Sequence, residues 1–227
     1  MSRLIDLGRL PYRDALALMR DAHARVASGE QPDTWLVVEH HPVITLGRNA
    51  NRHNLRVSPE YLAARGVDLV EVERGGDATY HGPGQLVVYP ILRLARFREI
   101  VPLVSALEGA AIAALATYAI SARGRREHRG VYVGARAICA IGLAVKQMTS
   151  LHGLALNVST ALDYDRFITP CGTPQFGITS IAQELGRPVT LGDARDALFA
   201  ALRESFDVPA DAERADTFAH LANGYAS

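Results

Sequence analysis

Arg74-Gly75-Gly76-Asp77-Ala78-Thr79-Tyr80-His81-Gly82-Pro83-Gly84-Gln85 is the stretch on which the reading of this chain turns. It holds four glycines, a proline, an arginine and a histidine in twelve residues, more special residues than a plain hairpin loop needs. It lies between two strand-like runs, Val67 to Val72 and Leu86 to Leu94, so it predicts a loop mounted on a sheet. Glycine accepts φ > 0 and lets a ligand touch bare backbone. Successive backbone N–H groups in such a loop can form a concave nest for an oxyanion or a carbonyl oxygen. Arg74 adds a fixed cation and His81 a titratable ring. The loop lacks a GK[ST] ending and a GxGxxG pattern, so it is not a nucleotide-phosphate loop.

Outward from this loop, periodicity supplies the elements. Tyr12, Leu16, Met19, Ala22 and Val26 repeat at three- and four-residue steps, predicting a helix over Pro11 to Ala27 that ends at Gly29 and Pro32. Thr34 to Glu39 alternates as a strand, and Val43 to Leu46 continues it after His40-His41-Pro42. Ser58-Pro59-Glu60 starts a short helix that runs to Arg65. The Ala-rich segment Pro102 to Ala122 reads as a long helix. Val131 to Val145 and Leu151 to Val158 read as strands, and Asp163 to Phe176 as irregular. Helices follow at Ile178 to Leu185 and Leu191 to Phe206. The expected fold is α+β: a single domain with a mixed or antiparallel sheet covered by helices, spanning 1–206, with a tail over 207–227 that is free to fray.

Composition narrows the function classes. The chain has 227 residues, is 48% hydrophobic and carries zero formal net charge. There is no broad basic field to hold nucleic acid or an anionic membrane. Met1 to Arg9 lacks a signal-peptide apolar core, and the longest unbroken apolar run, Ala110 to Ala116, is far below membrane-spanning length. Two cysteines make no disulfide framework, so a cytoplasmic protein is the expectation. His40-His41 lacks metal-ligand spacing, and no metal is expected.

Cys171 lies in Thr169-Pro170-Cys171-Gly172, a loop of turn formers that suits an accessible nucleophile, although structural burial explains it equally well. Cys139 sits in an apolar strand, where cysteine acts as a small hydrophobe. His81-Gly82 and His152-Gly153 place two histidines beside glycines, where each borders a cavity or is simply a satisfied structural ring. Gly142 and Gly153, with Ala140, Ile141, Leu154 and Ala155, read either as the wall of a narrow apolar slot or as ordinary sheet packing.

Four motifs now stand in order: Arg74 to Gln85, Ile138 to Gly142, Ser150-Leu151-His152-Gly153-Leu154-Ala155-Leu156-Asn157, and Thr169-Pro170-Cys171-Gly172. Together, over Leu10 to Leu202, they resemble the lipoyl(octanoyl) transferases of the biotin/lipoate protein ligase superfamily. The resemblance implies transfer of an octanoyl group from acyl carrier protein to a lysine of a lipoyl domain, in 2-oxoacid dehydrogenase complexes or the glycine cleavage H protein. It assigns the acyl-thioester intermediate to Cys171. It assigns the acyl site to Arg74, Gly75, Gly76, Asp77, Ala78, Thr79, Tyr80 and His81, to Ala140, Ile141 and Gly142, and to His152, Gly153, Leu154 and Ala155. It implies no ATP or other cofactor, because the thioester already carries the activation, and a monomer. The alternatives are an ATP-dependent lipoate- or biotin-type ligase, a Cys–His thioesterase and a non-catalytic acyl- or lipoyl-binding module.

One departure from the family pattern matters. The family's cysteine-activating lysine falls here on Ala137, and the chain's single lysine, Lys146, lies nine positions on. At about 3.3 Å per residue that is roughly 30 Å along a strand, on the opposite face. Lys146, His81 and His152 are the candidate replacements. Arg123, Arg125, Arg126 and Arg129 form either a solvated turn or a docking patch for an acidic carrier.

Overall fold

The chain folds around a hairpin of long strands, seen here in a computed structural model that describes residues 1–125, 129–169 and 177–214. The strands are β1 (Arg3–Leu10), β2 (Thr34–His40), β3 (Val43–Leu46), β4 (Asp68–Glu71), β5 (Ala78–His81) and β6 (Gln85–Ile91), then β7 (Arg123–Gly124), β8 (Gly130–Val133), β9 (Arg136–Lys146), β10 (Thr149–Asn157), β11 (Gly177–Ile178) and β12 (Glu213–Arg214). The helices are α1 (Tyr12–Ser28), α2 (Pro59–Ala63), α3 (Ile100–Ala116), α4 (Ile181–Leu185) and α5 (Leu191–Arg203). A large mixed sheet runs β12-β1-β2-β6-β10-β9-β8-β7, with β11 alongside β9. A second sheet, β4-β3-β5, is separate.

Helices cover the large sheet on both faces, each held by an apolar stripe. The Tyr12, Leu16, Met19, Ala22 and Val26 face of α1 is buried against Leu36, Val87 and Leu151. On the other face, Leu103, Leu107, Ala111 and Leu115 of α3 and Leu198 and Leu202 of α5 meet Val88, Ile138 and Leu154. The run Phe97–Ala116 is long and apolar enough to cross a bilayer by composition alone. It packs instead on α5 and β9 and buries Glu108, whose carboxylate accepts from Gly130 N–H at 3.0 Å and sits 3.4 Å from Arg129. Caps fix the helix ends: Gly29 closes α1 at φ 84°, Ser58 opens α2, Ser180 opens α4 and Thr190 opens α5.

Several elements differ from the sequence expectation. β3 does not extend β2: Pro42 turns the chain away, and Val43–Leu46 joins the small sheet between β4 and β5. The glycine-rich stretch is not all loop, because Ala78–His81 is strand β5, paired with β3; its alternation is short and hidden between glycines. The long helix is Ile100–Ala116 and stops at Thr117, ahead of a left-handed Ala119 at φ 58°. Ile178 belongs to β11 and α4 begins at Ile181. β1 has no counterpart in the sequence pattern because Gly8 (φ 64°) breaks its alternation with a bulge between Asp6 and Arg9, where Asp6 Oδ1 accepts from Gly8 N–H. The tail is ordered as far as it is described: Glu213 and Arg214 pair with Ile5 and Asp6, and Arg3 bridges to Glu213 at 2.7 Å.

Candidate active site

β9 and β10 pair residue for residue from Lys146↔Thr149 to Cys139↔Leu156. This register puts Ala140 opposite Ala155, Ile141 opposite Leu154 and Gly142 opposite Gly153, so the two small-residue motifs meet as one patch. The glycine-rich stretch folds over it. Gly75 N–H donates to Leu143 O at 2.9 Å, and a Cβ on Gly142 would lie only 3.0 Å from Gly75 O and 3.1 Å from Arg74 Cδ. Glycine at 142 is therefore what allows the loop to seat on the strand. Gly153 answers a different need: a Cβ there would strike the Val88 carbonyl and approach Pro90 Cδ to 2.6 Å, so its small size serves the crossing of β6 and β10.

Between loop and hairpin lies a cavity of about 550 Å³. Among the residues expected at the acyl site, Arg74 to Thr79, His81, Ala140 to Gly142 and His152 to Ala155 all line it. Tyr80 points elsewhere. Its ring stacks on Tyr164 at 4.1 Å, and it borders a smaller adjoining cavity of about 80 Å³. Sequence reasoning missed Tyr12 and Tyr89 on the polar side, and Ile100, Val104 and Tyr132 on the apolar side. These come from α1, β6, α3 and β8, and no local motif marks them.

The loop is braced from the small sheet. Buried Arg74 donates to Thr45 O at 2.9 Å and Thr45 Oγ1 at 2.8 Å, while Arg48, Asn49 and Gly47 donate to the carbonyls of Arg74, Gly76 and Asp77. Asp77 accepts from Asn51 N–H, from its neighbour Ala78 N–H and from the Asn54 amide. The anion nest is thus narrower than the sequence suggests, since Gly75 and Ala78 spend their N–H groups within the protein. Among the described residues, Gly76 and Asp77 N–H take no protein acceptor.

A line of polar side chains forms the opposite wall. His81 is fully engaged: Nδ1 lies 2.7 Å from Gln85 Oε1 and Nε2 3.3 Å from Thr45 Oγ1. Burial, then His40 and Arg74, push its pKa well below the ordinary imidazole value, so the ring is neutral. His40 bonds Tyr89 Oη at 2.7 Å and is lowered by burial to about 4. Burial also raises Tyr12 to about 12. His152 differs in having a carboxylate beside it, with Nε2 3.5 Å from Glu73 Oε2.

Cys139 is buried, and burial pushes its thiol up to about 12, as a small hydrophobe requires. Cys171 lies outside the described residues, as does Arg126. The described chain on either side of Cys171, at Ile168 and Ile178, borders the smaller cavity together with Ala137. Ala137 also lines the larger cavity, so position 137 belongs to the site. Lys146 sits at the far end of β9, exposed, 3.4 Å from Glu73, and does not line the cavity. Of the arginine cluster, Arg129 lines the cavity and Arg125 lies over the Tyr132 ring at 5.0 Å.

The family profile of the lipoyl protein ligase A/B catalytic domain matches residues 11–203. The chain is 43% identical over 205 residues to an octanoyltransferase of Syntrophobacter fumaroxidans, covering 90% of both chains. It is also 43% identical to the octanoyltransferase of Nitratidesulfovibrio vulgaris, over 89% of this chain and 94% of that one. Among solved structures, a lipoate-protein ligase A bound with ATP has the same fold, with a TM-score of 0.80 at 18% identity, covering 94% of this chain and 88% of that one.

Proposed function

We propose, because this chain belongs to the lipoyl protein ligase A/B catalytic-domain family, that it takes an octanoyl group from octanoyl-acyl carrier protein and passes it to a lysine of a lipoyl domain through a thioester on Cys171. Octanoyl transfer, an acyltransferase activity, is what its relatives of 40–47% identity are named for. The observation that carries this reading is the convergence of the glycine-rich loop and the β9–β10 hairpin on one cavity, apolar on the α3 side and polar on the α1 side.

The two sides suit the two halves of the substrate. Six methylenes of an octanoyl chain, buried against Ile100, Val104, Ile141 and Leu154, contribute about 5 kcal/mol at ~0.8 per methylene. No polar contact to the tail is required for that selection. At the reacting end, Gly76 and Asp77 N–H are donors for the oxyanion that forms when a nucleophile adds to the carbonyl. Transfer through a thiol divides the exchange of thioester for amide into two additions, each within reach of the same donors. The catalytic unit is 1–206, acts as a monomer in the cytoplasm, and serves lipoyl domains as acceptors. Arg129, which lines the cavity and pairs with Glu108, is the residue of the arginine cluster that serves as a contact for an acidic carrier.

Intact mass spectrometry after mixing with octanoyl-carrier protein, without ATP, tests this. The expected result is a gain of one octanoyl group located on Cys171, absent in Cys171→Ser and lost on adding a lipoyl domain. A requirement for ATP with an active Cys171→Ser protein would instead establish a ligase. Release of free octanoate, with no acylated acceptor, would establish a thioesterase.

A further inference from the structure

Glu73 stands one residue before the glycine-rich loop, and no motif marks it. Its carboxylate gathers three groups from three elements: His152 of β10 at 3.5 Å, Lys146 of β9 at 3.4 Å and Arg20 of α1 at 3.1 Å. Lys146 and Arg20 are exposed, at 58% and 55%, whereas the His152 side chain is 2% exposed and lines the cavity. Glu73 therefore connects a buried ring to the protein surface. On the far side of that ring, Nδ1 lies 3.5 Å from Tyr12 Oη, and Tyr12 also lines the cavity.

The backbone holds His152 in this pose at a cost. It has φ +60°, the left-handed region, inside strand β10, where a side-chain residue rarely sits. Its N–H is turned onto Met19 Sδ at 3.3 Å. Such a conformation persists where its surroundings over-determine it, and such sites cluster at functional groups.

We propose that Tyr12, His152 and Glu73 form a proton-accepting chain for the amine that attacks the acyl group, with Glu73 as its positioning residue. This rests on the octanoyl-transfer reading above. Among the described residues His152 Nε2 is buried without a hydrogen-bond partner, and the carboxylate 3.5 Å away can only accept one, so Glu73 favours the ring proton on Nε2 and leaves Nδ1 as an acceptor toward Tyr12. In the transfer step the amine nitrogen adds to the thioester carbonyl, forming C–N and placing the π pair on oxygen. The oxygen pair then re-forms C=O as the C–S bond breaks, and the C–S electron pair leaves on sulfur as thiolate. The surplus proton on nitrogen passes to Tyr12 Oη as the Tyr12 proton passes to His152 Nδ1. The imidazolium so formed faces the Glu73 carboxylate and returns its proton to the thiolate or, past Glu73, to water. Catalytic hydrogen bonds of about this length shorten when the reacting groups are in place.

The surrounding charges are consistent with this. Burial lowers the His152 ring below its ordinary value, Glu73 opposes that, and Arg74 and Arg20 add to it. The Glu73 carboxyl is held well below the usual carboxylate range, first by His152 and then by Arg20, so it is charged at all working pH. Tyr12, Tyr89 and His81 are further titratable groups near the ring, with Tyr89 edge-on at 6.3 Å.

Nitrogen NMR of histidine-labelled protein and single-turnover kinetics decide the matter together. The spectrum should report the Nε2–H tautomer for His152 in the wild type and a pKa lower by about one unit in Glu73→Gln. On octanoyl-loaded enzyme, Glu73→Gln and Tyr12→Phe should slow transfer to a lipoyl domain about 10- to 100-fold. In Glu73→Gln the rising limb of the pH profile should move down with the ring, and Glu73→Asp should recover most of the rate. An Nδ1–H tautomer, or an unmoved pH limb in Glu73→Gln, would overturn the proposal even if octanoyl transfer is intact. A wild type that never loads octanoate would instead overturn the transfer reading, and the spectrum would still decide the Glu73–His152 link.

Discussion

Replacing Gly153 by alanine adds a single methyl group where β10 lies directly against its neighbour β6. The added Cβ would run into the Val88 carbonyl and come within 2.6 Å of Pro90 Cδ, where carbon atoms normally stay about 3.5–4.0 Å apart. Neither obstacle is a flexible side-chain end. Val88 is hydrogen-bonded into the sheet opposite both Leu154 and Val37, and Pro90 is a rigid ring opposite Trp35. Relief therefore requires β6 and β10 to part by about an ångström, an overpacking cost at the upper end of the usual 1–3 kcal/mol. At about 2–4 °C per kcal/mol for a chain of this size, the melting temperature should fall by about 6–12 °C. Gly109→Ala is the matched control. It lies on the exposed side of α3 with nothing within 4 Å of its Cβ, and should stabilise by about 0.5–1 kcal/mol. Thermal and urea unfolding followed by circular dichroism measures both. Equal midpoints for Gly153→Ala and wild type would refute the argument that Gly153 is dictated by the crossing.

Three other outcomes are expected. Ala137→Lys places a cation at a position lining both cavities, so iodoacetamide should alkylate Cys171 faster near neutral pH, with the midpoint of its rate profile moved down by about one unit. Lys146→Met should leave that alkylation rate within about two-fold, because Lys146 sits beside Glu73 and outside the cavity; a ten-fold fall would return it to direct thiol activation. His40 takes up a proton near pH 6.5 when unfolded but only near 4 when folded, so the unfolded state binds more protons in between. Stability should therefore decline as pH falls from about 6.5 to 4, by up to about 3 kcal/mol from this ring, and His40→Gln should flatten that decline in urea titrations.

Much of this was legible in the sequence for physical reasons that can be named. The α1 stripe, the β9–β10 hairpin and the caps at Gly29 and Ser58 follow from period and turn chemistry acting over a few residues. The small residues and glycines around Gly142 and Gly153 mark only that a backbone or a ligand comes close; their reading as an acyl site rests on the family resemblance. Other features depend on distant chain. Glu73 has no signature because its role is set by His152, Lys146 and Arg20, all remote in sequence. Tyr12 reads as one more apolar position of α1 until β10 brings His152 to its hydroxyl. Val43–Leu46 reads as a continuation of the Thr34–Glu39 strand and Ala78–His81 as loop, because four residues carry too little pattern to specify a partner.

The cavity's two walls belong to different sheets. Its loop side is rooted in β3 and β5, while its floor is the β9–β10 hairpin. Besides the shared chain, the seam is crossed by the Gly75–Leu143 and His81–Gln85 hydrogen bonds, the contacts of Glu73 and the packing of Val43 and Val70 against the core under α1. An occupant touching both walls acts as a clamp across that seam, so binding a fatty chain should slow amide hydrogen exchange most in the three-stranded unit, whose opening no longer proceeds independently of the larger sheet.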